Sequence, residues 1–472
     1  MSRIYKIYCL LLVAICLSGC IRFHAQPILA DKAFGDFEER SLAAAELKEF
    51  FKVNGQIPEW PIKEWDIRSL TLASLFFHPD LDVARAQWGV ARAGLKSAGE
   101  SPNPTASASL GFNRSTPAGE ITPWIPAAAL EIPVETAGKR GYRRAQARHL
   151  AEAARLHVLA VAWEVRGRLR RAFLDLFAAR ESGSIWSARQ AIEEEAARIL
   201  AARLAAGEAS AYEVTQTRIA LGQSRLNALD AAEQGVRAQA ALAAALGVPA
   251  HALDGVALRF DELLDPAVAV PDREIRRRAL LSRADILAAL AEYQASQAAL
   301  QVEIAKQYPD INIGPGYELD QTDVKWTLGL NLLLGLFNRN RGPIAEAEAR
   351  RSEAAARFQA LQAGVIAEVE TAASSCRSAV DRARTAVAML DGLNKVEAIA
   401  SEQFTLGEIS KLELLDVRLE LAAGRLSRLD ELVKAQSAIT DLEAAMQAPL
   451  GWETRVLESP TRGAGQAQEQ KK

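Results

Sequence analysis

The sequence predicts a mixed, mainly α-helical fold that carries transmembrane β-strands and is built from one unit used twice. Three observations predict it. Alanine, leucine, arginine and glutamate dominate while aromatics are only 6%, the profile of long helices rather than of several compact cores. A segment of the first half recurs in the second. Four short stretches alternate apolar and polar residues with the period of a strand.

The chain opens on Arg3 and Lys6, followed by an apolar stretch from Ile7 to Leu17. That stretch is too short to span a bilayer as a helix and reads as a secretory signal. It ends in Leu17-Ser18-Gly19-Cys20, which resembles a bacterial lipobox. The resemblance implies cleavage before Cys20 and a lipid on its thiol, with Ile21 in place of an aspartate favouring the outer membrane. An ordinary signal peptide with an incidental cysteine is the alternative. The mature chain then keeps only Cys376 besides Cys20, so packing and not an intrachain disulfide must hold the fold.

The expected organisation is a signal over residues 1–19, an anchored segment over 20–65, a first repeat over 66–250, a linker over 251–271, a second repeat over 272–450 and a polar tail over 451–472. The duplication is read directly. Gly207, Glu208, Ser210, Arg218, Leu221, Arg225 and Leu226 recur as Gly407, Glu408, Ser410, Arg418, Leu421, Arg425 and Leu426, each displaced by 200 residues. Pro104, Gly111 and Phe112 correspond to Pro309, Gly316 and Tyr317 at an offset of 205, so the first hairpin loop, around Ser115 to Pro123, is the longer.

Each half reads helix, two strands, long helix, tight turn, long helix. Helices are expected over Asp66–Gly99, Arg140–Leu204, Ala211–Leu246, Asp272–Lys306, Pro343–Leu406 and Ser410–Met446. Pro343 sits in a first turn, where a missing N–H costs nothing, and Pro249 beside Gly247 and Pro449 beside Gly451 act as stops. Leu412, Leu415, Leu419, Ala422, Leu426, Leu429 and Val433 step by threes and fours, a coiled-coil seam, and Val158, Val165, Leu169, Phe173 and Leu176 form a second stripe.

The strands are expected near 104–113, 124–135, 310–319 and 325–336, with alternation continuing through Leu334 and Leu336. A spanning strand needs about 9–11 residues with one face in lipid and the other toward a polar lumen. Trp124 and Trp326 lie at the loop ends, where amphipathic rings favour an interface. Four strands cannot close a barrel, and open edges in lipid leave backbone groups unpaired. Twelve strands from a homotrimer would leave a pore, where eight from a dimer would fill their own interior.

These residues resemble the TolC family of outer-membrane factors, over roughly residues 66 to 448. The likeness rests on the duplicated Gly-x-x-Ser turn before a leucine-rich helix, on Leu336-Phe337-Asn338-Arg339-Asn340-Arg341-Gly342, on Asn103-Pro104 and on Gly138-Lys139-Arg140. Within the family it is most similar to the heavy-metal branch of the cobalt, zinc and cadmium type. The resemblance implies a trimeric outer-membrane exit duct, its twelve-stranded β-barrel continued by a periplasmic α-helical barrel, that passes heavy-metal cations, with a periplasmic adaptor and an inner-membrane pump of the RND type as partners. It also implies a periplasmic constriction at Glu413 and Asp416, with Glu213 and Gln216 as their first-repeat counterparts. Three-fold symmetry would make a ring of six carboxylates whose like charges raise one another's pKa. Arg203, Gly207 and Ser210, with Thr405, Gly407 and Ser410, would form the adaptor-docking tips, and Ser210 and Ser410 can cap the returning helices.

Other classes lack support in the residues. His78, His149, His157 and His251 are scattered, and no zinc-ligand spacing, phosphate loop or serine elbow occurs, so neither an enzyme nor a cofactor or resident metal is expected. A net charge of −3 leaves no global basic footprint for nucleic acid. The rivals that stay open are a multidrug or type I secretion duct of the same fold, and a non-conducting coiled-coil lipoprotein scaffold.

Overall fold

The structure, a computed structural model, describes residues 23–54, 59–115, 122–266, 272–320, 323–335 and 337–450. The signal segment, Cys20, much of the first hairpin loop, Leu336, Gly451 and the tail lie outside the described residues. The chain divides into two compact units, residues 1–41 and 42–472. The first contains helix α1 (Ala30–Glu38), which buries none of its side chains.

In the second unit the order is α2 (Ala45–Val53), β1 (Glu64–Trp65), α3 (Ile67–Phe77), α4 (Pro79–Gly99), β2 (Thr105–Phe112), β3 (Trp124–Val134), α5 (Lys139–Ala205) and α6 (Ala211–Leu246). A 3₁₀ turn, β4 (Ala257–Leu258) and α7 (Asp261–Leu264) lead to the second half: α8 (Arg273–Ser282), α9 (Ala284–Ala305), β5 (Ile311–Asp320), β6 (Asp323–Leu332), α10 (Arg341–Thr405) and α11 (Lys411–Met446). With 67 residues at 1.5 Å each, α5 is about 100 Å long. Its alanine content favours the helix, and ion pairs one turn apart such as Arg155–Glu152 and Arg189–Glu193 support it.

The sheet is fully antiparallel in the order β2-β3-β5-β6, so the two halves meet through β3 and β5. Both outer strands, β2 and β6, keep one unpaired edge within the chain. Below the sheet α5 is flanked by α6 and α11, and α11 packs in turn on α10. The expected stripe on α5 is fully used: Val158, Val165, Leu169, Phe173 and Leu176 are all buried. On α11 the expected seam is too narrow, because the helix packs on both α10 and α5. Leu415, Ala422 and Leu429 are buried, but so are Leu414, Leu421, Leu432, Ile439 and Leu442.

Three expectations are corrected. The helices expected over Asp66–Gly99 and Asp272–Lys306 are each two helices, broken at His78 and Arg283. Pro79 forces the first break, since the residue before a proline avoids the helical region, and His78 takes φ −71°, ψ 123°. No proline marks the second. There Arg283 donates to Ala445 O, Asp285 and Glu368, while Ala284 N–H donates to Gln447 Oε1 at 2.8 Å.

The α11 helix ends at Met446, before Pro449 as expected, and Gln447 takes the left-handed conformation (φ +46°) that Gly247 (φ +80°) takes after α6. Gly247 is required, because a Cβ there would lie 2.7 Å from Phe77 O. Finally, β6 stops at Leu332 rather than 336. Its in-chain partner β5 begins at Ile311, opposite Leu332, and offers nothing beyond.

The largest core gathers Phe51, Leu70, Phe173, Leu242 and Leu246 where α2 and α3 lie on α5 and α6. A second holds Val369, Cys376, Val380, Ile439 and Leu442 between α10 and α11. Between the halves, Glu443 is wholly buried and paired with Arg166 at 2.8 Å and Arg170 at 3.0 Å.

Candidate functional site

The strand register separates two faces. Opposite one another stand Ala106 and Leu130, Ala108 and Ala128, Phe112 and Trp124, then Ile313 and Leu330, Pro315 and Leu328, Tyr317 and Trp326. The other face aligns Thr105 with Glu131, Ser107 with Ala129, Asn312 with Asn331, Gly316 with Thr327 and Glu318 with Lys325. The apolar face is open: Leu110, Leu328 and Leu330 are 65–72% exposed and Trp326 is 78% exposed. A water-facing sheet would not leave such a continuous apolar surface, whereas lipid on one side and a polar lumen on the other require this pattern.

The aromatic residues pair within each hairpin, toward its loop end. Phe112 meets Trp124 edge-on with centroids 4.9 Å apart, and Tyr317 meets Trp326 in the same way at 5.1 Å. Each pair stands beside the tip of its hairpin, so the duplication sets a girdle at the loop end of the sheet. The sequence marked all four residues but not their pairing. On the polar face Lys325 pairs with Asp320 at the same end.

The other end of the sheet is fastened by charge. Buried Lys139 reaches Asp310 at 2.7 Å and Tyr308 O at 2.6 Å, and Arg143 pairs with Glu135. The Lys139 tie crosses the two halves and accounts for the lysine of the Gly138-Lys139-Arg140 motif, whereas Arg140 Nε donates to Gly99 O and the Arg143 pair stays within the first half. Sequence reading had the motif without the reason.

The distal turns are two copies of one structure. Gly207 (φ +74°) lets Glu208 N–H donate to Arg203 O at 2.8 Å, and Gly407 (φ +78°) lets Glu408 N–H donate to Gln403 O at 2.9 Å. Ser210 and Ser410 then cap α6 and α11 in capping boxes. Glu213 N–H donates to Ser210 Oγ at 3.2 Å and Ser210 N–H to Glu213 Oε2 at 2.8 Å; the second copy has 3.3 and 2.6 Å. The Thr405 hydroxyl donates to Glu402 O at 2.6 Å.

Arg203, Gly207, Ser210, Gln216, Thr405, Gly407, Glu413 and Asp416 all lie within these two turns or the first two turns of the returning helices, and only Ser410 among the expected site residues is part-buried. Gln216 donates to Tyr212 Oη at 2.6 Å. Asp416 has no ion pair or hydrogen bond among the described residues. In the single chain, which lacks the three-fold ring of the expectation, Glu413 is held below the usual carboxylate range. Its bond from Ser410 N–H is the main cause, and the Arg203 guanidinium adds to it. Glu213 is lowered for the same reasons, so Arg203 acts on both turns. Among the described residues no group of three His, Cys, Asp or Glu side chains is placed to hold a metal ion.

The sequence model of outer membrane efflux proteins matches residues 74–248 and again 275–451, once on each copy of the duplicated unit. The chain belongs to the outer membrane efflux protein family. This efflux protein is an outer-membrane efflux channel and not an enzyme, and its fold is of the TolC type. It is 24% identical over 322 residues to the cobalt-zinc-cadmium resistance protein CzcC of Cupriavidus metallidurans, covering 67% of this chain and 75% of that protein. It is 27% identical over 294 residues to the pyoverdine export outer membrane protein OpmQ of Pseudomonas aeruginosa, covering 59% of this chain and 58% of that one. Among solved structures, the outer membrane protein VceC of Vibrio cholerae shares the fold with a TM-score of 0.65 at 20% identity, over 81% of this chain and 96% of VceC.

Proposed function

We propose that this efflux protein is the exit duct of a tripartite efflux system and works as a homotrimer that exports heavy-metal cations. The observation that carries the reading is the four-stranded, two-faced sheet with an unpaired edge on each side. Three such sheets close twelve strands around an aqueous pore, and closure removes every edge from lipid. The exposed apolar stripe of α6, Tyr212, Ile219, Leu226, Leu229 and Val236, supports a neighbouring helix from a second copy in the same assembly.

In this reading Glu413 and Asp416 ring the periplasmic end of the pore, with Glu213 and Gln216 beside them. The tips at Arg203, Gly207, Ser210, Thr405, Gly407 and Ser410 dock a periplasmic adaptor, which couples the duct to an inner-membrane pump of the RND type. Cys20 carries the lipid that tethers the N-terminus to the outer membrane. Metal cargo is supported by the similarity to CzcC and by a carboxylate ring, which attracts cations and repels anions. The similarity to OpmQ favours a second reading, export of pyoverdine, through the same duct.

Planar-bilayer recording of the purified trimer tests the duct. The wild type should show a small cation-selective conductance that grows, with weaker selectivity, in a Glu413→Ala, Asp416→Ala double variant. Silence from both after verified insertion would leave the scaffold reading. Zinc, cobalt and pyoverdine sensitivity of a deletion strain would then decide the cargo.

A further inference from the structure

We propose that the turn between β6 and α10, from Phe337 to Arg341, is a binding surface for anionic phospholipid headgroups in the periplasm-facing leaflet of the outer membrane. The inference needs the sheet to stand in the membrane; it does not depend on the cargo, the adaptor or the pump.

Position comes first. The apolar face of β6 ends at Leu332, and the next two residues, Leu333 and Leu334, are again apolar, with 88% and 59% of their surface open. The turn follows directly, where hydrocarbon gives way to headgroups. Phe337 is fully exposed at that depth, which suits an interfacial anchor and is costly in water.

Charge comes second. Arg339 and Arg341 are exposed, and neither guanidinium has an ion pair or hydrogen bond among the described residues. Of the other cations near this end of the sheet, Lys139 is paired with Asp310, Arg143 with Glu135 and Arg350 with Glu346, while Arg140 donates to the Gly99 carbonyl. The rim therefore keeps free cations where the membrane offers phosphates, and Arg is the side chain whose fork matches phosphate oxygens.

The turn is also built to present them. Arg339 (φ +45°) and Asn340 (φ +55°) are consecutive left-handed residues, a conformation that side chains other than glycine adopt at a cost. It is held by Asn340, whose side-chain amide donates to Glu303 O at 2.7 Å and to Glu303 Oε2 at 3.1 Å, and by Arg341 N–H donating to Asn338 O at 3.0 Å. Before α5 the same left-handed pair is made by Ala137 and Gly138. The fold at this place thus requires neither an aromatic nor an arginine. The second copy carries both, on a connection of eight residues where the first has four, 333–340 against 135–138.

The test uses the full-length trimer reconstituted in phosphatidylcholine with or without phosphatidylglycerol, scored by native mass spectrometry for retained lipid. Wild type should retain phosphatidylglycerol. An Arg339→Gln, Arg341→Gln variant should lose affinity about five-fold for each arginine removed, while an Arg339→Lys, Arg341→Lys variant should keep most of it. A Phe337→Cys variant carrying a fluorophore should be quenched by lipids spin-labelled near the headgroup. Equal phosphatidylglycerol retention by wild type and the glutamine variant would overturn the proposal, as would an unquenched label. Dissociation of the glutamine variant into monomers would instead assign the turn to contacts between protomers, and overturns it equally.

Discussion

His78 and Arg283 occupy equivalent places 205 residues apart and break their helices by different chemistry. The His78 imidazole accepts the Asp80 N–H at 3.2 Å, which needs a neutral Nδ1, and burial together with Arg168 holds its pKa below the ordinary value of 6.5 against the pull of Asp80 and Asp82. A group with a depressed folded pKa contributes stability that is complete above its unfolded value and is lost as pH falls through the folded one. Thermal stability should therefore decline below pH 6.5, and His78→Asn, which caps without titrating, should flatten that part of the profile. Glu443 predicts a larger effect. Glu443→Gln leaves Arg166 and Arg170 buried against a neutral amide and should cost about 3 kcal/mol in chemical denaturation. The sequence revealed the two capping serines because their partners stand at fixed short spacing. It hid Glu443 because its partners lie more than 270 residues away on another helix.

Among the elements, the strands were the most legible, since alternation writes the two faces directly into the order of residues. The register gives a sharp contrast. Leu330→Arg places a charge on the lipid face and should cost about 2–4 kcal/mol in membrane folding assays. Thr327→Arg, on the polar face opposite Gly316, should fold normally and alter ion selectivity instead. Helix limits were legible where a capping box or a left-handed glycine marks them, as at Ser210, Ser410 and Gly247. The break at Arg283 was not, because a side chain on α9 and the end of α11 enforce it together. The early end of β6 was missed for a related reason: residues past Leu332 alternate correctly but have no partner within one chain.

For the molecule as a whole, the exposed apolar positions on α6 and α10 predict that no protomer is stable alone in this form. Ile219→Glu combined with Leu226→Glu should leave the helices of each chain intact by circular dichroism and abolish the trimer in native mass spectrometry. An unaffected trimer would show that the stripe faces elsewhere. Family and duplication were readable because they depend on repeated residues. The link between the two tips was not, since the sequence gives spacing on one helix while Glu413 in the single chain answers to its own cap and to Arg203 from the other turn.

The pairing of β3 with β5 also orders events in time. Ala128 faces Tyr317 across the sheet, 189 residues apart in the chain. Helices and their hairpins need only neighbours in sequence and can form within microseconds, but this contact must wait for a loop of that length to close. A newly exported chain thus acquires its rods first, and the unfinished strands remain the adhesive part of the molecule. Secretion must keep them from other strands until membrane and sister chains are both at hand.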